Sequence, residues 1–305
     1  MERESRTQDV VDAIVRIHAA LMAHPLDRLN EERAALCLEL LDILSFTQDT
    51  HLAAAVLDDP AVRSRRDDLR RHMASAAFLY ELQWSRTLSA ADDPAALTES
   101  DYPFHDHYRR ATELEYHAAR TLARRPLRRI LMVGCGPLPS TAFQLAHLTG
   151  ARIDALERDP VATEAAGALT TRLGLDGRVR CITSDLRDYA RLGDYDAVWL
   201  AALAGEQEEK TQLLAHHHRH MAPGALLLAR TAADLRTLLY ARIRVEDLAA
   251  FNVHLLLQPY SRNFHTSLIA EQPDGGAASP DGQRRSVPLT AARHHTDAEA
   301  PWPTS

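Results

Sequence analysis

The sequence predicts an α/β protein in which a bundle of helices precedes a mostly parallel β-sheet. Three observations lead to this prediction. From about residue 8 to 120, apolar residues recur at helical spacing and no glycine interrupts them. From about residue 125, short apolar runs alternate with helical segments. The last two apolar runs are joined by a short polar turn, as in a hairpin.

The helical half is predicted to cover residues 1–122. Pro60 follows a pair of aspartates, which is typical of a helix start. Apolar side chains recur at intervals of three and four residues, as in Leu36, Leu40, Leu41 and Leu44. We expect these helices to pack together as an N-terminal α-helical bundle.

Strand and helix patterns alternate in the second half, which is predicted to form one domain over residues 123–271. The candidate strands are 128–133, 152–156, 178–183, 196–200 and 225–230. The candidate helices between them are 139–149, 160–174, 187–192 and 206–221. This order favours a parallel sheet that is covered by helices on both faces.

The last two candidate strands, 253–258 and 265–270, are predicted to pair as an antiparallel hairpin at one edge of the sheet. A mostly parallel sheet with a late antiparallel hairpin is the layout of class I S-adenosylmethionine (SAM) methyltransferase-like domains, which are Rossmann-like. Residues 272–305 are rich in Pro, Gly, Ser and charge and lack periodicity, so we expect a disordered tail.

Composition and charge argue against several classes of protein. The net charge is -7, and no long basic stripe with interleaved aromatics occurs, so nucleic acid is not expected as a partner. No apolar run is long enough to span a bilayer and the first residues do not resemble a signal peptide, so no membrane partner is expected. Three widely separated cysteines fit a reducing compartment, and we expect a cytoplasmic protein.

Four histidines lie close together in the segment AHHHRHMAPG, residues 215–224. A zinc site would need further ligands, and neither an H-E-x-x-H motif nor a cysteine pair supplies them. A helix C-terminus is the simpler interpretation, because imidazolium charge is favoured there and Pro223-Gly224 would end the helix. No metal site is predicted.

A glycine turn follows the first candidate strand and precedes a helix. Such a turn lets the backbone approach a ligand at the carboxyl edge of the sheet. The third glycine of a dinucleotide fingerprint would fall on Pro139, so the loop suits a nucleoside that carries no pyrophosphate. The residues predicted to contact this nucleoside are Gly134, Cys135, Gly136, Pro137, Leu138 and Pro139.

Two acidic residues stand at the ends of the next two strands. Glu157 comes roughly 20 residues after the loop, where an acid can accept hydrogen bonds from both ribose hydroxyls. Asp185 ends the following strand, a position suited to accepting from the adenine amino group. Either acid alone would be read equally well as a helix cap or a solvated strand end. Together with the glycine loop they predict a SAM site.

The sequence resembles nicotianamine synthases and their bacterial relatives that make opine-type metallophore precursors. The resemblance spans roughly residues 30–270 and is loose in the helical half. Four stretches carry it: YPFHDHYRRATELEY (102–116), GCGPLPSTAFQLA (134–146), YDAVWLAALAGEQEEKTQLL (195–214) and HMAPGALLLARTAADLRTLLY (220–240).

The resemblance implies an enzyme in which SAM donates a 3-amino-3-carboxypropyl group to an amino group and 5′-methylthioadenosine leaves. Glu115, in the segment ATELEY, is implied as the general base that takes the amine proton. Tyr108 lies two helical turns earlier and is expected to support it by a hydrogen bond. Ala201 and Ala202, in the third stretch, join the predicted SAM contacts.

Three further residues are expected to bind the acceptor substrate. Arg230 and Tyr240 match the last stretch, and Arg230 would clamp a carboxylate, although a structural salt bridge is an equal alternative. His107 stands where family members usually carry asparagine, and this departure falls at a position expected to line the acceptor pocket. The expected acceptor is a free amino acid, either histidine or a SAM-derived aminobutyrate unit, and the expected product is a metal chelator of a metallophore pathway.

Other activities are compatible with the same donor site. The amino group of SAM could attack its own γ-carbon and close a ring to azetidine-2-carboxylate. A methyltransferase would release S-adenosylhomocysteine instead, and a SAM-binding regulator would show no turnover. A homodimer is an option that the sequence leaves open.

Overall fold

The computed structural model describes residues 2–47, 49–258 and 266–274, and the chain there is a seven-stranded sheet with helices on both faces. The strands are β1 (Arg129–Val133), β2 (Arg152–Glu157), β3 (Val179–Thr183), β4 (Ala197–Leu200), β5 (Leu226–Thr231), β6 (Asn252–Leu257) and β7 (Thr266–Glu271). Their order across the sheet is β3-β2-β1-β4-β5-β7-β6. The first five strands are parallel, and β7 is antiparallel to both β5 and β6.

Ten α-helices accompany the sheet in the described ranges. They are α1 (Glu2–Leu21), α2 (Glu31–Phe46), α3 (Thr50–Asp58), α4 (Pro60–Arg63), α5 (Arg66–Ala90), α6 (Pro94–Asp101), α7 (His105–Leu122), α8 (Ser140–Leu148), α9 (Pro160–Arg172) and α10 (Gln207–His220). The predicted α/β class, with a methyltransferase-like sheet that follows N-terminal helices, is confirmed.

The first turns of several helices are set by proline and by capping aspartate side chains. Pro60 and Pro160 each occupy the first turn of a helix, where the missing N–H has no partner to lose. Asp59 and Asp159 cap the same two helices through their side chains. The segment predicted as a helix at 187–192 is instead two short 3₁₀ turns, Leu186–Asp188 and Ala190–Asp194, the first capped by Asp185. The segment is too short to complete two α-helical turns.

Residues up to Asp274 form one compact unit. The predicted boundary at residue 122 falls at the end of α7, and a division into domains there stays a prediction. Most of the predicted disordered tail, residues 275–305, lies outside the described residues. Helix α7 packs on α8 and α5 packs on α9, so both N-terminal helices lie against helices that cover the sheet.

Candidate active site

The carboxyl ends of the parallel strands border a cavity of about 330 Å³. Its wall includes all six residues of the glycine loop, Glu157, Asp185, Ala201 and Ala202. These are the ten residues that the sequence assigns to the SAM nucleoside. Tyr108 and Arg230 also face this cavity, together with Glu81, which the sequence interpretation did not single out.

Two glycines shape the loop after β1. Gly134 and Gly136 have φ angles of +73° and +66°, a conformation that side chains rarely adopt. A Cβ atom on Gly134 would lie 3.2 Å from the Cβ of Ala204. A Cβ atom on Gly136 would lie 2.8 Å from Oε2 of Glu81, which is too close. The turn therefore favours glycine at position 136, and a side chain there would displace the Glu81 carboxyl group.

Glu157 is fixed by backbone donors at the end of β2. Its Oε2 accepts from the amide of Gly136 at 3.1 Å, and its Oε1 accepts from the amides of Arg158 and Asp159 at 2.8 and 3.1 Å. Oε2, with a single donor, retains a further lone pair that can accept a hydroxyl. The carboxylate is thus oriented before any ligand arrives.

Asp185 follows β3 and faces the same cavity. Arg187 holds its carboxylate with two hydrogen bonds, Nε to Oδ1 at 2.9 Å and Nη2 to Oδ2 at 2.5 Å. The hydrogen bonds from Arg187 lower the pKa of Asp185 to about 2, so the group is an anion at neutral pH.

Glu81 and Tyr108 meet at the inner end of the cavity, although they come from different helices, α5 and α7. The Tyr108 hydroxyl donates to Oε1 of Glu81 at 2.9 Å. Burial raises the pKa of Glu81 to about 7, a rise to which the nearby Glu157 charge adds and which the Tyr108 hydrogen bond partly offsets. A carboxyl group with this pKa can accept and release a proton near neutral pH.

A second cavity of about 120 Å³ adjoins the first, and Glu81, Tyr108 and Leu203 line both. Two predicted acceptor-binding residues, His107 and Tyr240, line this second cavity. Burial, assisted by the charge of Arg230, lowers the pKa of His107 to about 3, so its ring is neutral. Burial raises the pKa of Tyr240.

Glu115, the predicted base, lines neither of these two cavities. It is 3% exposed, and its carboxylate accepts from four donors. Arg230 donates to both oxygens, Nε at 2.9 Å and Nη2 at 2.8 Å, while Ser267 Oγ and Trp199 Nε1 donate at 2.6 and 3.1 Å. Arg230 also donates to Oγ1 of Thr141 at 2.8 Å. Glu115 and Arg230 form a buried salt bridge, which holds Arg230 at the wall of the first cavity.

A family model described as nicotianamine synthase protein matches residues 3–275 of the chain. The chain belongs to the nicotianamine synthase family. The resemblance stated from the sequence is thereby confirmed.

Several named relatives in the nicotianamine synthase family are similar over most of the chain. Nicotianamine synthase 2 of Oryza sativa subsp. japonica is 31% identical, and the match covers 94% of this chain and 91% of the rice protein. Nicotianamine synthase-like 5 protein of Hordeum vulgare is 31% identical, with 85% and 93% covered.

Solved structures of MtNAS share the fold at 24% identity. A complex with MTA and tNA has a TM-score of 0.75, covering 86% of this chain and 98% of MtNAS. A mutant of MtNAS has a TM-score of 0.74 in complex with SAM, covering 87% of this chain and 98% of MtNAS.

For this nicotianamine synthase family member, sequence reasoning missed Glu81. One signal was available, because Glu81 is the only acid of α5 after its first turn and it sits among Tyr80, Leu82 and Trp84. Within the described ranges, no group of three or more His, Cys, Asp or Glu side chains could hold a metal ion. In the same ranges no helix has the length and apolar character that crossing a bilayer requires.

Proposed function

We propose that the protein is a SAM-dependent 3-amino-3-carboxypropyl transferase that alkylates the amino group of a free amino acid and releases 5′-methylthioadenosine. The observation that carries this proposal is the position of Glu81. Its carboxyl group borders both cavities and accepts a hydrogen bond from Tyr108. A base at that junction can take the proton from an amine in one cavity, so that the amine attacks a molecule bound in the other.

The first cavity suits the SAM nucleoside. Glu157 accepts the ribose hydroxyls and Asp185 accepts the adenine amino group, while the glycine loop admits close contact with the backbone. All of these groups line the cavity. MtNAS, which shares the fold, was solved in complexes with SAM and with MTA, and this supports a donor site of the same kind.

Glu81 is proposed as the general base in place of Glu115. An amino acid is mostly protonated at pH 7 and must lose a proton before its nitrogen can attack. Glu81 takes that proton, the nitrogen bonds to the γ-carbon of the methionine moiety, and the bond between that carbon and sulfur breaks. The electron pair of that bond goes to sulfur, which leaves as a neutral thioether.

Tyr108 and Arg230 position the reacting groups. The Tyr108 hydroxyl donates to Glu81 and therefore favours the ionised carboxylate that acts as base. Arg230 faces the donor cavity and is held there by Glu115, so we assign it to a substrate carboxylate. The product carries an additional amine and carboxylate and belongs to the chelating class made for metallophores. The cytoplasmic location and the homodimer stay predictions.

The test is mass spectrometry of the purified protein incubated with SAM and a set of amino acids. We expect 5′-methylthioadenosine together with an amino acid whose mass has grown by one aminocarboxypropyl group. S-adenosylhomocysteine would show that the methyl carbon is the one transferred, and azetidine-2-carboxylate would show ring closure within SAM. Either product would overturn the proposed transfer.

A further inference from the structure

The second cavity is walled by aromatic rings. Six of its lining residues carry rings, and they come from α5, α7, the turn between α6 and α7, and the segment after β5. They are Tyr80, Tyr102, Phe104, His107, Tyr108 and Tyr240. Tyr80 and Phe104 pack edge to face with centroids 5.8 Å apart, and Tyr102 and Phe104 do so at 6.1 Å. Such packing fixes the shape of the wall before a ligand enters.

The remaining wall is aliphatic. Leu41, Met73, Ala77, Leu203 and Leu239 complete it, and carbon atoms supply nearly all of the surface that faces the cavity. Although four of the rings are tyrosines, their hydroxyl groups contribute little to that surface. A cavity of about 120 Å³ has the volume of roughly four water molecules at about 30 Å³ each, which matches a benzyl or branched aliphatic side chain.

Among the residues that the structure describes, Glu81 is the one acidic residue that lines this cavity. Glu81 and Tyr108 stand where the second cavity joins the donor cavity. An amine that binds here places its nitrogen beside Glu81 and its body among the rings. A charged group on that body would lose its hydration against a carbon surface, which is unfavourable without a partner.

We infer that the acceptor is an amino acid with an apolar or aromatic side chain, and that acidic and other charged amino acids are poor acceptors. This inference rests on the proposed function. The chemical step is the one given above: the nitrogen–carbon bond forms, the carbon–sulfur bond breaks, and the amine proton goes to Glu81.

The first test compares kcat/KM for 5′-methylthioadenosine release with different acceptors. The apolar set is L-phenylalanine, L-tyrosine and L-leucine, and the charged set is L-aspartate, L-glutamate and L-2,4-diaminobutyrate. We expect the best apolar acceptor to exceed every charged one by about ten-fold or more, the range that a hydrophobic pocket can discriminate. A charged amino acid that matches the best apolar one overturns the inference.

A variant with a new charge at the cavity gives a second test. Leu203 lines both cavities and is 46% exposed, so Leu203→Arg should be tolerated by the fold. We expect its kcat/KM to fall about ten-fold for apolar acceptors and to rise for aspartate and glutamate. Leu114→Arg is the matched control, because Leu114 is 42% exposed on α7 and lines neither cavity. If Leu203→Arg leaves the ranking of acceptors by kcat/KM unchanged, the inference is contradicted.

The products separate failure of the inference from failure of the proposed function. The inference fails, while aminocarboxypropyl transfer stands, if a charged amino acid releases methylthioadenosine as efficiently as the best apolar one. It fails in the same way if SAM alone releases methylthioadenosine at full rate with aminobutyrate transfer. S-adenosylhomocysteine, or no turnover with any amine, overturns the proposed function itself and the inference with it.

Discussion

The Tyr108 hydroxyl donates a 2.9 Å hydrogen bond to the carboxyl group of Glu81, which belongs to a different helix and borders both cavities. The bond favours the ionised form of a carboxyl group whose pKa burial has raised to about 7. Removing the hydroxyl should therefore raise the pKa of Glu81 further. Because a base must be ionised to act, activity should begin to rise at a higher pH in a variant without this hydroxyl.

Tyr108→Phe tests this expectation through the pH dependence of kcat/KM. We expect the acidic limb of the profile, set by Glu81 near pH 7, to shift to higher pH in the variant. Tyr116→Phe is the control, since Tyr116 lies two turns further along α7 and lines neither cavity. A profile that Tyr108→Phe leaves in place would mean that the tyrosine does not act on Glu81.

Gly136→Ala should damage both the fold and the site. The residue has a φ angle of +66°, which costs a side chain about 1–2 kcal/mol, and the added Cβ would lie 2.8 Å from the Glu81 carboxyl oxygen. We expect a lower melting temperature and a large loss of turnover. Gly167→Ala, within α9 with open space around its Cβ, should instead keep activity and slightly raise stability. Equal behaviour of the two variants would refute the role given to Gly136.

Glu115→Gln should mainly destabilise the protein. The substitution leaves Arg230 buried without its counter-charge, which typically costs about 3–5 kcal/mol of the free energy of unfolding. Chemical denaturation measures this loss. The double variant Glu115→Gln, Arg230→Met should recover much of it, because the unpaired charge is gone. A Glu115→Gln protein of normal stability that has lost only its turnover would restore Glu115 as the base.

Because Lys210 is buried, we expect its contribution to the free energy of unfolding to depend on pH. It is 1% exposed and its ammonium group donates to the carbonyls of Ala202 and Ala241 at 2.7 and 2.6 Å. Burial lowers the pKa of Lys210 to about 7, so between pH 7 and about 10.5 the unfolded chain binds a proton that the folded chain does not. The free energy of unfolding due to this group therefore rises with pH in that window.

Lys210→Met removes this dependence. The stability of the wild type minus that of the variant should grow between pH 7 and pH 9, as measured by urea denaturation at each pH. The variant should also be less stable by about 2 kcal/mol or more at any of these pH values, because two carbonyls lose their donor. A difference that shrinks as pH rises would contradict the depressed pKa of Lys210.

The residues of the proposed donor site could be placed at one edge of the sheet from the sequence because they follow strand ends. Glu157 and Asp185 each end a short apolar run, and parallel strands bring such ends to one edge of the sheet. The glycine loop is likewise a local pattern. The parallel arrangement follows from the alternation of apolar runs with helices, and the hairpin from the short polar turn between the last two runs.

The proposed base, Glu81, could not be found in this way. Glu81 lies 55 residues before Gly136 in the chain, and the packing of α5 against α9 brings it to the loop. Spacing along α7 relates Tyr108 to Glu115, but the observed partner of Tyr108 lies on α5. Helical periodicity describes which residues share a face of one helix and does not show which two helices meet.

The central claim is that Glu81 takes the proton from the acceptor amine. The most direct test is the rate of 5′-methylthioadenosine formation by Glu81→Gln under single-turnover conditions, with SAM binding measured separately by calorimetry. We expect the rate to fall about 10²- to 10⁴-fold while SAM affinity stays within a few-fold of wild type. Glu113→Gln, which changes an acid on α7 outside both cavities, should leave both quantities unchanged. A Glu81→Gln protein that turns over at the wild-type rate would contradict the claim.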